Sequence, residues 1–125
     1  DEFPAFYTPT TGLAVDARLE SAEQIAEVVF ARDALGLRGG VVVANPIPAE
    51  DAIDPKALQE WVDTALIDAD RAGIRGKDVT PFLLAKLQQA SGGATEEANK
   101  KLVYNNVRLA ARVAGELAAR SYGTS

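Results

Sequence analysis

The side chains best suited to specific binding lie on the last helix that the sequence predicts. Asn99 and Asn106 are seven residues apart, so they project from the same helical face. The remaining positions of that predicted face are apolar: Leu102, Leu109, Val113 and Leu117. A buried carboxamide without a partner costs about 1–3 kcal/mol, so each asparagine needs one. The partner is either the backbone of a neighbouring loop or a ligand.

A carboxamide offers both donors and an acceptor, and this combination matches the alternating N–H and C=O edge of a uracil ring. Asn99, near the start of the helix, is the better candidate for such a contact. A third amide, Asn45, directly follows the run Val-Val-Val-Ala at 41–44, which is typical of a buried parallel strand. Open α/β sheets bind ligands at the carboxyl ends of their strands. Pro46 comes next, however, and an Asn-Pro pair is also typical of a simple turn. We therefore treat Asn45, Asn99 and Asn106 as candidate substrate-binding residues.

Catalytic and metal-binding groups are not indicated. The sequence contains no cysteine and no histidine, which excludes thiol nucleophiles, imidazole bases and the usual zinc sites. Its lysines lie among polar neighbours, so no setting is evident that would lower an amine pKa for Schiff-base chemistry. The segment Gly-Ile-Arg-Gly-Lys at 73–77 lacks the spacing of a phosphate-binding loop. We predict no catalytic residue and no metal ligand in this chain.

Composition limits the class of protein. The chain has 125 residues, of which 47% are hydrophobic and 25% charged, as expected for one ordinary domain. A net charge of −5 with scattered basic residues argues against a nucleic acid polymer as partner. No apolar run approaches the roughly 20 residues that cross a bilayer, so no membrane association is expected. Without a recognisable leader, a cytoplasmic location is the default expectation.

Four helices are predicted from their start and stop signals. Ser21 with Gln24 forms a capping box, and Asp54 precedes a proline at the first helical position of the second helix. Thr80 with its following proline opens a shorter third helix, and the fourth runs from near Thr95 to about Arg120. Beside them stand one convincing strand at 41–44 and a weak second one at 3–7.

The predicted class is therefore α/β, rich in helix, with one or two strands. Two strands are marginal without partners, so we expect the rest of the sheet to lie upstream. The abrupt aromatic beginning and the absence of methionine also favour a fragment.

Several stretches together resemble the pseudouridine-5'-phosphate glycosidase family, also known through its indigoidine synthase A-like members. They are EFPAFY at 2–7, GGVVVANPIP at 39–48, TPFLL at 80–84, GG at 92–93 and NKKLVYNN at 99–106. Each block alone is weak, but all of them in order are specific, and they cover nearly the whole chain. The resemblance identifies residues 1–125 as the C-terminal part of a single domain of this family, an α/β/α sandwich.

The resemblance implies reversible cleavage of the C–C glycosidic bond of pseudouridine 5'-phosphate to uracil and ribose 5-phosphate. It also implies a homotrimer and a divalent metal, usually manganese, with a lysine that forms a Schiff base and a glutamate that transfers protons. The motifs that carry these groups lie upstream in the family and match nothing here, so the chain alone is expected to be inactive and to need the upstream half of its subunit. Asn99 matches the family asparagine that contacts the base, whereas Asn45 and Asn106 match motifs without an assigned role. Lys100 departs from the apolar residue that is more usual at that position.

Two other interpretations remain open. The chain could be a non-catalytic helical interaction module that kept the fold and lost the chemistry. It could also belong to a related enzyme of pigment (indigoidine) biosynthesis that acts on another phosphosugar.

Overall fold

The computed structural model describes residues 2–122, and the side chains up to residue 120. Its regular structure is helical, with two short 3-10 turns at Ala49–Asp51 and Gly76–Asp78. The four α-helices are α1 (Ala22–Ala34), α2 (Pro55–Arg71), α3 (Val79–Ala90) and α4 (Ala94–Tyr122). The helix count and order thus agree with the prediction, and α4 extends two residues beyond the predicted end.

The first helix begins at the predicted capping box. Ser21 Oγ accepts a hydrogen bond from the Gln24 N–H at 3.3 Å. In return, Gln24 Oε1 accepts from the Glu20 N–H at 2.6 Å. The first bond satisfies a backbone donor that the first turn leaves without a partner, and the second ties the residue before the cap to the helix.

The second helix also begins as predicted. The Asp54 side chain accepts from the Ala57 N–H at 3.1 Å, and Pro55 occupies the first helical position. Shortly after the helix ends, Gly73 has φ +68°, a left-handed conformation that side chains disfavour. The boundaries of α2 thus follow from local signals alone.

The helices pack in pairs, α2 against α3 and α1 against α4. Lys86 Nζ on α3 contacts Asp68 Oδ2 on α2 at 2.7 Å. Arg120 of α4 donates to the Glu23 carbonyl of α1 at 3.2 Å and lies 3.5 Å from the Glu27 carboxylate. Many of the buried apolar residues are alanines, for example Ala26, which is fully covered. The contacts within the chain are therefore close but involve few large side chains.

The prediction of two strands needs correction. Residues 41–44 form no strand in the described part of the chain, and Val42 is 82% exposed. Near the start, the described residues show only an isolated antiparallel bridge between Glu2 and Ala14, in place of the weak second strand. A strand needs hydrogen bonds from a neighbouring strand, and no other described segment lies beside residues 41–44 to supply them. The chain is accordingly helix-rich, and it does not by itself display an α/β sandwich.

Across the described residues, every helix is too short or too polar to meet the requirements of a membrane span.

Candidate functional site

Two of the three predicted binding residues are in direct contact. Asn45 Nδ2 donates a hydrogen bond to Asn106 Oδ1 at 3.0 Å, although the two residues are 61 positions apart in sequence. The neighbouring Asn105 donates from its Nδ2 to the carbonyl of Pro46 at 3.1 Å. We call these four residues the amide cluster. It fixes the segment that follows the exposed valines to the first half of α4.

An apolar contact lies beside the amide cluster. Ile47 is only 2% exposed and packs with Ala98 and Leu102 of α4. Partly buried residues complete this group, and one of them, Tyr7, accepts from the Ile53 N–H through its carbonyl at 2.9 Å. Burial raises the pKa of the Tyr7 phenol, so its hydroxyl stays protonated at neutral pH. The segment is therefore held to α4 by apolar burial as well as by hydrogen bonds.

The predicted inward face of α4 needs correction. Asn99 and Asn106 are both exposed in this chain, whereas Ala98 and Leu102 are buried and Asn105 is half-buried. The buried face is thus rotated about the helix axis, relative to the predicted face, by less than the angle between successive residues. Of the predicted stripe Leu102 is buried, but the buried Ala98 lies outside that stripe. In the structure the small Ala98 lies at the contact, since its size lets Ile47 approach the helix closely.

Asn99 is exposed at one end of a strip on α4 that continues through Val103 to Asn106. Its side chain makes no hydrogen bond to the described residues. Val103, 50% exposed, lies between Asn99 and Asn106 at helical spacings of four and three. At about 1.5 Å of rise per residue, the two amides are about 10 Å apart along the helix. A polar, an apolar and another polar group thus follow one another along one face.

The strip carries hydrogen-bonding groups suited to a neutral polar ring. Within the described part of the chain, the Asn45 carbonyl oxygen and the Asn106 amino group have no further partner. Together with Asn99 they offer acceptors and donors without a formal charge. These groups can donate and accept hydrogen bonds, and the strip itself holds no acid, base or nucleophile.

The lysine next to Asn99 is paired with two carboxylates. Lys100 Nζ lies 2.9 Å from a carboxylate oxygen of Glu97 and 3.0 Å from one of Glu96. Hydrogen bonds to Glu97 and then to Glu96 raise the pKa of Lys100 above its usual value, so the amine stays protonated. A protonated amine cannot attack a carbonyl carbon.

No group of three or more carboxylates among the described residues could hold a metal ion. The donors present therefore do not fit a manganese site, and we derive no chemical step through a metal from this chain.

Sequence reasoning missed Asn105, although a signal was available. Asn105 lies three residues from Leu102 and four from Leu109, so it belongs to a helical stripe with both. An asparagine at such a position requires a polar partner, and the Pro46 carbonyl is that partner.

Comparison with known proteins gives consistent matches. The profile of the family described as indigoidine synthase A like protein matches residues 1–116. A pseudouridine-5'-phosphate glycosidase of Caldanaerobacter subterraneus subsp. tengcongensis is 46% identical over 117 residues, which are 94% of this chain and 38% of that protein. One of Glaesserella parasuis is 48% identical over 113 residues, 90% of this chain and 37% of its own.

A solved structure is similar as well. The prealnumycin C-glycosynthase AlnA, in complex with ribulose 5-phosphate, aligns with a TM-score of 0.88 at 28% identity, covering 98% of this chain and 40% of that one. The chain thus spans less than half the length of the proteins it matches, and it corresponds to the C-terminal portion of the glycosidases. The family match over most of the chain shows that it belongs to the indigoidine synthase A like family.

Proposed function

We propose that this chain is the C-terminal, base-binding part of a pseudouridine-5'-phosphate glycosidase, which cleaves the C–C glycosidic bond to give uracil and ribose 5-phosphate. The observation that carries the proposal is the uncharged amide strip on α4, tied to Asn45 by the 3.0 Å bond to Asn106. The strip occurs in a chain that is 46% identical to a relative with that name. Uracil is neutral and presents alternating donors and acceptors, so amides are suitable partners.

Within this proposal, Asn99 contacts the base directly. It has no hydrogen-bond partner in the described part of the chain, so its donors and acceptor are available to a ligand. Asn45 and Asn106 form the other end of the strip, and the exposed Val103 provides an apolar surface between them for the face of the ring. Buried hydrogen bonds give the selectivity, since a base with a different donor pattern would leave amide groups unpaired.

The chemical step is assigned to the upstream half of the subunit. Lys100 is held protonated by its two glutamates, and the described residues contain no metal-binding cluster. The chain covers only 38% of the relative from Caldanaerobacter subterraneus. We therefore place the Schiff-base lysine, the proton-transferring glutamate and the manganese ion outside this chain, and infer that the chain alone is inactive. A homotrimer belongs to the same proposal.

A second candidate is a related enzyme that acts on another phosphosugar, because the C-glycosynthase structure with bound ribulose 5-phosphate has the same fold over 98% of this chain. The higher identity to the glycosidases, 46% against 28%, favours the first candidate.

Uracil release from pseudouridine 5'-phosphate tests the proposal. The polypeptide that contains this chain together with its upstream portion is compared with this chain alone and with the Asn99→Ala variant. Loss of one base hydrogen bond, worth about 1–1.5 kcal/mol, should raise KM about tenfold. Gln59→Ala is the matched control, since it removes an exposed amide on α2 outside the strip. Failure of the longer polypeptide to release uracil would contradict the proposal, and activity of this chain alone would contradict the placement of the catalytic groups.

A further inference from the structure

The segment at 38–47 depends on one side chain for the anchoring of its backbone. Among the described residues, this segment takes part in no backbone–backbone hydrogen bond. In the described part of the chain, its backbone is held by a single hydrogen bond, from Asn105 Nδ2 to the Pro46 carbonyl at 3.1 Å. The apolar contact of Ile47 adds affinity, but such contacts have little directional preference. Asn105 therefore holds the backbone of the segment on α4 and, together with the side-chain bond between Asn45 and Asn106, sets its orientation.

We propose that Asn105 is a positioning residue for the substrate base. This inference rests on the proposed function and goes beyond it, because Asn105 lies on the half-buried side of α4 and does not belong to the exposed strip. By fixing the Pro46 carbonyl, Asn105 places Asn45 where its Nδ2 reaches Asn106 Oδ1 at 3.0 Å. That bond commits one amide hydrogen of Asn45 and one acceptor of Asn106 to each other. The Asn45 oxygen and the Asn106 amino group remain for the ligand.

The role requires a donor at position 105. The Pro46 carbonyl can only accept, so an aspartate there would bring two acceptors together and leave the carbonyl unpaired. A leucine of similar size would keep the apolar packing and remove the donor. Both changes leave Asn99, Asn45 and Asn106 in place, so a changed KM would report their arrangement.

The test uses the polypeptide that includes the upstream portion, with steady-state kinetics of uracil release. For Asn105→Leu and Asn105→Asp we expect KM for pseudouridine 5'-phosphate to rise about tenfold while kcat changes less than about twofold. This rise in KM should nearly vanish in an Asn45→Ala background, because the group that Asn105 positions is then absent. A purely structural role would lower the active fraction, and hence the apparent kcat, equally in both backgrounds.

The outcomes separate the two proposals. A wild-type protein that releases no uracil contradicts the proposed function. An active wild type with an unchanged KM in Asn105→Leu, or an equal KM effect with and without Asn45, overturns the positioning role. Asn105→Asp, which keeps the size of the side chain and removes the donor, is judged by the same two criteria if the leucine variant does not fold.

Discussion

At the scale of single residues, the asparagines of α4 divide between two tasks. Asn105 and Asn106 bind the segment at 45–46, and Asn99 faces outward with no hydrogen bond to the described residues. Two successive asparagines such as Asn105 and Asn106 can lie on different faces of the helix, because successive residues point about 100° apart. Asn105 thus binds the segment from the half-buried side of the helix, while Asn99 and Asn106 share the exposed side.

The ion pair between α2 and α3 gives a residue-scale prediction. Asp68 lies 2.7 Å from Lys86 Nζ, which also stands 5.5 Å from the centre of the Phe82 ring. The hydrogen bond from Lys86 lowers the pKa of Asp68 below its usual 3.8. The resulting stabilisation is present above pH 3.8 and is lost as the pH falls through the lower folded-state pKa. Asp68→Asn should therefore lower Tm at pH 7, and the difference from wild type should disappear in strong acid.

Thermal unfolding followed by circular dichroism between pH 7 and pH 2 measures this effect. Asp70→Asn is the matched control, because Asp70 pairs with Arg75 at 3.0 Å but both side chains are at least 75% exposed. An exposed pair contributes less, so the control should change Tm less. A Tm difference for Asp68→Asn that is equally large at pH 2 would show that the ion pair is not its cause.

Residue types alone predict only part of the candidate site. The sequence predicts Asn45 and Asn106 as candidates, and in the structure they contact each other. The contact with a loop backbone that was the alternative for Asn99 and Asn106 is made by the neighbouring Asn105. The exposure of Asn99 could not be foreseen, since it depends on which side of α4 receives Ile47. That choice is made by tertiary contact between distant segments. The ligand roles of Asn45, Asn99 and Asn106 stay predictions.

At the scale of elements, the starts of α1 and α2 are predictable because they are coded locally, whereas α3 begins at Val79, before the predicted Thr80, and has no side-chain cap. Ser21 and Asp54 cap α1 and α2 through bonds that involve residues only a few positions away. Strands have no such local code, since their backbone groups are satisfied by another strand. The run at 41–44 has the composition of a strand, yet nothing in the described chain pairs with it.

The cap of α2 supplies an element-scale prediction. Asp54→Ala removes the acceptor for the Ala57 N–H at 3.1 Å and should lower the free energy of unfolding by about 1 kcal/mol. Urea unfolding monitored by circular dichroism gives this value. Asp16→Ala, an exposed carboxylate in the loop before α1, serves as the control and should change stability by less than about 0.5 kcal/mol. Equal effects of the two substitutions would mean that the loss of charge matters and the cap does not.

At the scale of the whole molecule, many large apolar side chains are exposed to solvent. Val42 is 82% exposed, and on α4 Tyr104 and Val107 are more than 60% exposed. Exposed apolar residues that cluster along one segment commonly mark an interface. The chain spans 38% of the length of the glycosidase from Caldanaerobacter subterraneus, so a larger partner structure is available to cover them in the proposed enzyme.

A comparison of two contexts tests this last point. In the chain alone, Val42→Lys places a lysine on an exposed segment, so the free energy of unfolding should change by less than about 0.5 kcal/mol. In the polypeptide with the upstream portion, where we expect residues 41–44 to complete a sheet, the same lysine would be buried without a partner. Its desolvation should then cost about 3 kcal/mol or more. Gln59→Lys, an exposed position on α2, should be neutral in both contexts. Urea unfolding of the four variants decides the matter, because an equal effect of Val42→Lys in both contexts would mean that the valines remain at the surface.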